Sequence, residues 1–263
     1  MISIKYFFAT LGLFLSINLA FSQDFRINNS QKLIIDHLEN IYVIEKDNLS
    51  LISKPSKKEY QNNYLGNIFS VDISNPLRIL IFHKDANQII FLNNELSIIG
   101  EPVNLDKINL PEISVVCSSQ INGFWIYNNL NNRVEFVNNK LKKTHSSIDL
   151  SPFINSTDDI LSIKMEYKHI YLNVQNTGIL VFDMFGTYLK TLPIQNIQSF
   201  QVLENSILYT KGKQILMYKF DTLETLILYQ SETTIKYAKI INRKIFILTK
   251  NQLFTQSLEK IKP

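Results

Sequence analysis

The sequence predicts an all-β chain folded as a six-bladed β-propeller of four-stranded antiparallel blades, and three observations carry that prediction. One strand pattern returns six times at a spacing near 40 residues, a second apolar strand follows each return at an almost fixed offset, and the recurring strands are apolar at nearly every position. The recurring strands occupy residues 40–44, 77–82, 123–127, 169–172, 206–209 and 244–248. With Ile41, Ile79, Phe124, Ile170, Ile207 and Ile245 as anchors, successive separations are 38, 45, 46, 37 and 38 by subtraction.

The strand after each anchor passes through Leu49, Ile89, Val134, Ile179, Ile215 and Leu253, always 8 to 10 residues on by subtraction. A further strand is expected to begin around Leu96, Leu141, Tyr188 and Leu223, and another precedes each anchor at residues 33–36, 69–73, 113–117, 160–164, 200–203 and 235–240. Four strands per unit make one blade. Continuous apolar runs, rather than alternating ones, mean two dry faces per strand; a sandwich or a membrane barrel would alternate apolar with polar residues.

The last unit stops near Ser257 with three strands. Phe25-Arg26-Ile27 is expected to supply the fourth, which would close the ring and cover an open strand edge. Between strands lie polar turns rich in Asn, as at Asn93-Asn94, Asn128-Asn129 and Asn138-Asn139, where Asn tolerates left-handed backbone angles.

The run Leu33-Ile-Ile-Asp36-His-Leu-Glu-Asn40-Ile-Tyr-Val43 resembles the NHL repeat, an apolar strand, Asp, a short polar turn and then Asn-Ile-Tyr-Val. Residues 79–91 and 124–136 resemble its second half. The resemblance extends over residues 31–257 at the level of pattern. It implies blade architecture and leaves function open, because NHL-type propellers serve as recognition domains, hydrolases and lyases.

The N-terminus reads as a secretory signal peptide: Lys5 is its only early charge, residues 6–20 are largely apolar, and Ala20 and Ser22 are small residues at alternate positions. Cleavage after Ser22 would divide the chain into residues 1–22, the signal peptide, and residues 23–263, the propeller domain. The apolar run is shorter than a spanning helix needs and contains Asn18, so a retained anchor is the weaker alternative. No cysteine stands at the cleavage site, which argues against a lipoprotein; the expected destination is the periplasm or the exterior, with no transmembrane segment after cleavage. The single Cys117 lies in an apolar stretch and reads as a small buried hydrophobe.

The net charge of +4 becomes +3 when Lys5 leaves with the signal peptide, and basic pairs such as Lys57-Lys58 and Lys142-Lys143 are interspersed with acids. No nucleic-acid partner is expected from so small and so scattered an excess.

Chemistry is sparse. A propeller metal site needs oxygen ligands converging from several inner strands. The corresponding positions offer Asp36, Asp72, Ser118, Lys164, Leu203 and Ile240, so Asp36 and Asp72 read as turn acceptors in preference to metal ligands. His37, His83, His145 and His169 stand far apart, without metal-ligand spacing. The expectation is therefore no catalytic residue, no metal and no cofactor. Candidate binding residues are His83 and Lys84 in one inter-strand loop, Trp125 and Tyr127 should they reach a rim, and Arg133. The function expected from these features is a non-enzymatic periplasmic scaffold holding a protein partner of the cell envelope, such as an accessory subunit of an outer-membrane assembly or protein-export machine. The alternative is a propeller hydrolase or lyase acting on a sugar or lactone, which stoichiometric Ca²⁺ retained through dialysis would favour.

Overall fold

Strands that are apolar at every position have two faces to bury, and this chain buries them by stacking sheets side by side around a ring. The computed structural model describes residues 25–26, 32–52, 58–250 and 252–258. The expected signal peptide and its cleavage site lie outside the described residues.

Strand β1 (Phe25–Arg26) precedes blade 1, which comprises β2 (Lys32–Ile35), β3 (Ile41–Glu45), β4 (Asn48–Leu51) and β5 (Lys58–Gln61). Blade 2 comprises β6 (Ser70–Asp72), β7 (Ile79–His83), β8 (Gln88–Leu92) and β9 (Val103–Asn104); a single 3₁₀ turn, Asp106–Ile108, follows it. Blade 3 comprises β10 (Ile113–Ser118), β11 (Gly123–Asn128), β12 (Arg133–Asn138) and β13 (Lys143–Ser146), and blade 4 comprises β14 (Ile160–Glu166), β15 (His169–Val174), β16 (Gly178–Asp183) and β17 (Tyr188–Leu192). Blade 5 comprises β18 (Phe200–Leu203), β19 (Ser206–Lys211), β20 (Gln214–Lys219) and β21 (Thr225–Gln230), and blade 6 supplies β22 (Tyr237–Ile241), β23 (Lys244–Leu248) and β24 (Gln252–Ser257). Every sheet has four antiparallel strands, and the fourth strand of blade 6 is β1. All six anchors fall at or next to the start of a second strand.

The period-2 geometry of a strand sends neighbouring residues to opposite seams. In β7, Ile79 and Ile81 pack with Tyr42, Ile44 and Leu49 of blade 1, whereas Leu80 and Phe82 pack with Phe124 and Ile126 of blade 3. Among the described residues the buried apolar side chains form six clusters, one for each seam. One of them joins Leu33 and Ile35 of blade 1 to Phe246, Leu248 and Leu253 of blade 6, so the ring closes through side chains as well as through strand pairing.

Closure by β1 rests on the register Phe25↔Leu253 and Arg26↔Gln252. Deleting residues 23–30 should expose the β24 edge and lower the thermal midpoint by roughly 2–4 °C, the response to a loss of about 1 kcal/mol at this size. Equal midpoints for the two forms in thermal melts would show that β1 contributes nothing to closure.

The turns correct one expectation. Outer strands begin at Lys143, Tyr188 and Thr225, on or two residues after the expected starts, and in blade 2 at Val103, seven after. Leu96, Leu141 and Leu223 themselves sit inside the preceding turn with positive φ, at 59°, 57° and 59°. The reason is visible in two of them. Asn93 Oδ1 accepts the N–H groups of Glu95 and Ser97, and Asn138 Oδ1 accepts those of Lys140 and Lys142. The side chain closes the turn, and the left-handed position falls three residues later, on a leucine. Asp36 closes a turn of the same form, accepting from Leu38 and Asn40 with Glu39 at φ 63°.

Candidate functional site

Alternating strand direction puts the turn after the first strand of every blade, and the turn after the third strand of blades 1 to 5, at one end of the ring, here called the front. The turns after second strands and the links between blades lie at the back. First strands line the central channel.

Six residues occupy one equivalent level of that channel. Ile34, Asp72, Cys117, Lys164, Gln201 and Lys239 pair with Tyr42, Leu80, Trp125, Tyr171, Leu208 and Phe246, each one residue past an anchor. Four of the six reach across to the backbone of the next blade. Asp72 Oδ2 accepts from Ser118 N at 2.7 Å, and Lys164 Nζ donates to Phe200 O. Gln201 spans the next seam twice, donating to Ile240 O at 2.9 Å and accepting from Ile240 N at 2.7 Å. Lys239 Nζ donates to Ile35 O across the closing seam, where Tyr237 Oη also accepts from Ile35 N at 3.3 Å. These contacts satisfy backbone groups that an inner strand edge would leave unpaired.

The channel charges influence one another. Burial pushes the Lys239 ammonium down to about 8, with Lys164 adding to the shift and Glu166, Asp36 and Asp72 opposing it. Burial also lowers Lys164 and raises the Glu166 carboxyl. Asp36 and Asp72 act as turn acceptors, Asp36 as described and Asp72 toward Ser74 N at 2.8 Å.

The front end is the apolar one. Of the fifteen large hydrophobic residues exposed among the described residues, nine lie in front turns: Leu38, Leu77, Ile98, Ile99, Ile121, Leu141, Tyr167, Phe185 and Leu223. Four of these, Leu38, Leu77, Ile121 and Tyr167, occupy the innermost front turns of blades 1 to 4 in succession, at 62%, 67%, 49% and 52% exposure. They form a crescent around the channel mouth. Blades 5 and 6 complete the circle with the polar pairs Glu204-Asn205 and Asn242-Arg243.

The residues singled out from sequence are placed elsewhere. Trp125 and Tyr127 are buried in β11, Trp125 against Phe136 with ring centroids 5.2 Å apart. Arg133 donates to Ser147 O at 3.0 Å. Lys84 stands over the Phe69 ring and lines a back-end groove of about 400 Å³ with Asn87, Asp106 and Glu112. His83 is fully buried between blades 1 and 2: Nδ1–H donates to Gly66 O at 3.1 Å, so Nε2 accepts from Tyr60 Oη at 3.2 Å. The structure brings none of these five into one constellation. The front crescent was missed, although an apolar residue in the middle of a short turn was the available signal.

Burial holds the His83 imidazole below its ordinary value of 6.5, against the opposing hydrogen bond to Gly66. The unfolded chain therefore takes up this proton first. The stability His83 contributes is present above pH 6.5 and is lost as pH falls through the lower folded value. Between about pH 7.5 and 5 the wild-type thermal midpoint should fall more than that of His83→Gln, and parallel profiles would contradict this reading.

Among the described residues no helix is long and apolar enough to cross a membrane, and no three His, Cys, Asp or Glu side chains gather as metal ligands.

No protein-family model matches the chain and no curated protein does, so the likeness to NHL repeats stays at the level of pattern. Solved structures do match. A structure of PorZ, described as an essential bacterial surface component of the type-IX secretion system of Porphyromonas gingivalis, superposes with TM-score 0.54 at 11% identity, over 91% of this chain and 33% of that one. The chain thus spans about a third of the length of PorZ. Streptogramin B lyase gives TM-score 0.57 at 12% identity over 89% of this chain and 96% of that one, and the Neurospora crassa Pan2 WD40 domain gives 0.58 at 7% over 83% and 72%. At these identities the likeness shows architecture alone, and with the six closed four-stranded blades it establishes the fold as a six-bladed β-propeller.

Proposed function

We propose that the mature chain is an exported, non-enzymatic scaffold of the bacterial cell envelope that holds a protein partner on its front end, in the manner of an accessory subunit of an export or outer-membrane assembly machine. The apolar crescent of Leu38, Leu77, Ile121 and Tyr167 carries this reading. Neighbouring exposed apolar side chains in successive turns hold a place where polar residues cost nothing, and such a patch marks a contact surface. The best-placed chemical groups of the channel support a non-catalytic role, since Asp72, Lys164, Gln201 and Lys239 are each engaged with the next blade's backbone. The signal-peptide pattern supports export, and the likeness to PorZ supports an envelope setting.

The test is co-isolation of partners from solubilised envelopes, comparing wild type with Leu38→Glu/Ile121→Glu and with a back-end control, Leu130→Glu. A specific partner retained by wild type and by the control but lost with the front double variant is the expected result. Retention by all three would remove the front end from the account.

A further inference from the structure

On the same front end, the seam between blades 4 and 5 opens into a concavity of about 260 Å³. Its walls are aromatic and apolar: Tyr167, Tyr171, Phe220 and Leu189. Its polar groups are Tyr171 Oη, His169, Lys190 and Glu204. The crescent shares Tyr167 with this wall, but neither the crescent nor the channel contacts use these polar groups.

Each polar group has capacity to spare. Tyr171 is 4% exposed and is one of the residues lining the cavity, and its phenol can donate a hydrogen bond. Burial pushes it up to about 12, with Glu166 and Tyr167 adding to the shift, so it stays a donor. His169 Nδ1–H donates to Tyr167 O at 2.8 Å, which leaves Nε2 as an acceptor. Lys190 lies 5.3 Å from the Phe220 ring centroid and Glu204 has no ion pair among the described residues. One concavity therefore offers two donors and two acceptors around aromatic faces.

We propose that this concavity binds a single uncharged sugar ring. An apolar anchor would bury Lys190 and Glu204 without compensation, which is costly. A ligand carrying charge of a single sign would pair with one of them and be repelled by the other. A pyranose meets all the conditions: its C–H face packs on an aromatic ring while its hydroxyls give and accept hydrogen bonds. The volume is below that of a drug-sized pocket and suits one ring.

Saturation-transfer NMR on the intact mature chain tests this with the methyl glycosides of glucose, galactose, mannose and N-acetylglucosamine, and with N-acetyltryptophanamide as a protein-like comparator. Two substitutions read the site: Tyr171→Phe, which removes only the hydroxyl, and Glu204→Gln, at an exposed position. Saturable binding of at least one glycoside, weakened about tenfold or more by either change at unaltered thermal midpoint, is expected. The proposal is overturned if no glycoside binds, if binding is the same in both variants, or if only the tryptophan derivative binds. Because the readout involves no partner protein, it stands or falls separately from the scaffold reading.

Discussion

Gly178→Ala is expected to destabilise the protein by about 3 kcal/mol, a fall of roughly 6–12 °C in thermal midpoint. Gly178 opens β16 with φ +118°, where an L side chain is strained, and a Cβ there would lie 2.3 Å from Leu192 O. That carbonyl belongs to the backbone and already accepts from Ile194 N at 2.8 Å, so no side-chain rotation relieves the clash. Gly212→Ala is the control. Gly212 has φ +60° but nothing within 4 Å of the added carbon, so it should lose only the backbone term, about 1 kcal/mol. Equal losses for the two substitutions would refute the close approach of β16 to the chain leaving β17.

Lys143→Met should cost about 2–3 kcal/mol, read as a lower denaturant midpoint at unchanged slope. The Glu135 side chain is fully buried in blade 3, while Lys143 keeps about half of its surface. Glu135 Oε1 accepts from Lys143 Nζ at 2.9 Å and from Asn131 Nδ2 at 3.0 Å, and Oε2 accepts from Asn128 Nδ2 at 3.2 Å. Methionine keeps the length of the stem and removes the charge, leaving a buried carboxylate with two neutral amides. Glu135→Gln in the same background should recover part of the loss, because it removes the buried charge. Additive effects would mean that the pair does not interact.

The blades were legible because burial of both strand faces writes itself into consecutive residues. Ile79-Leu-Ile-Phe82 could be assigned from its own letters, each residue being committed to one seam or the other. The missing strand at the C-terminal end was legible for a similar reason, since an unpaired edge beside a spare apolar segment has one economical solution. Turn interiors were less legible. Asn93 and Asn138 close their turns through side-chain oxygens, and this moves the left-handed residue onto Leu96 and Leu141, which carry no compositional mark of a turn.

The same ambiguity hid the front crescent. Leu77 reads as the beginning of a strand, yet β7 starts at Ile79 and Leu77 is two-thirds exposed. Channel contacts were beyond pattern reading for a different reason. Lys239 and Ile35 are 204 residues apart, and only ring closure brings them together. The candidates His83 and Trp125 were read as loop and rim residues, and the structure buries both.

The claim on which the functional account depends is that the front end meets a protein partner in the envelope. Site-specific photocrosslinking in living cells tests it most directly, with a benzophenone side chain placed in turn at Leu38, Leu77 and Ile121 on the front and at Tyr64 and Leu130 on the back, all exposed positions. A discrete adduct of the same mass is expected from all three front positions and none from the back. Adducts from the back alone, or no adduct from any front position, would contradict it.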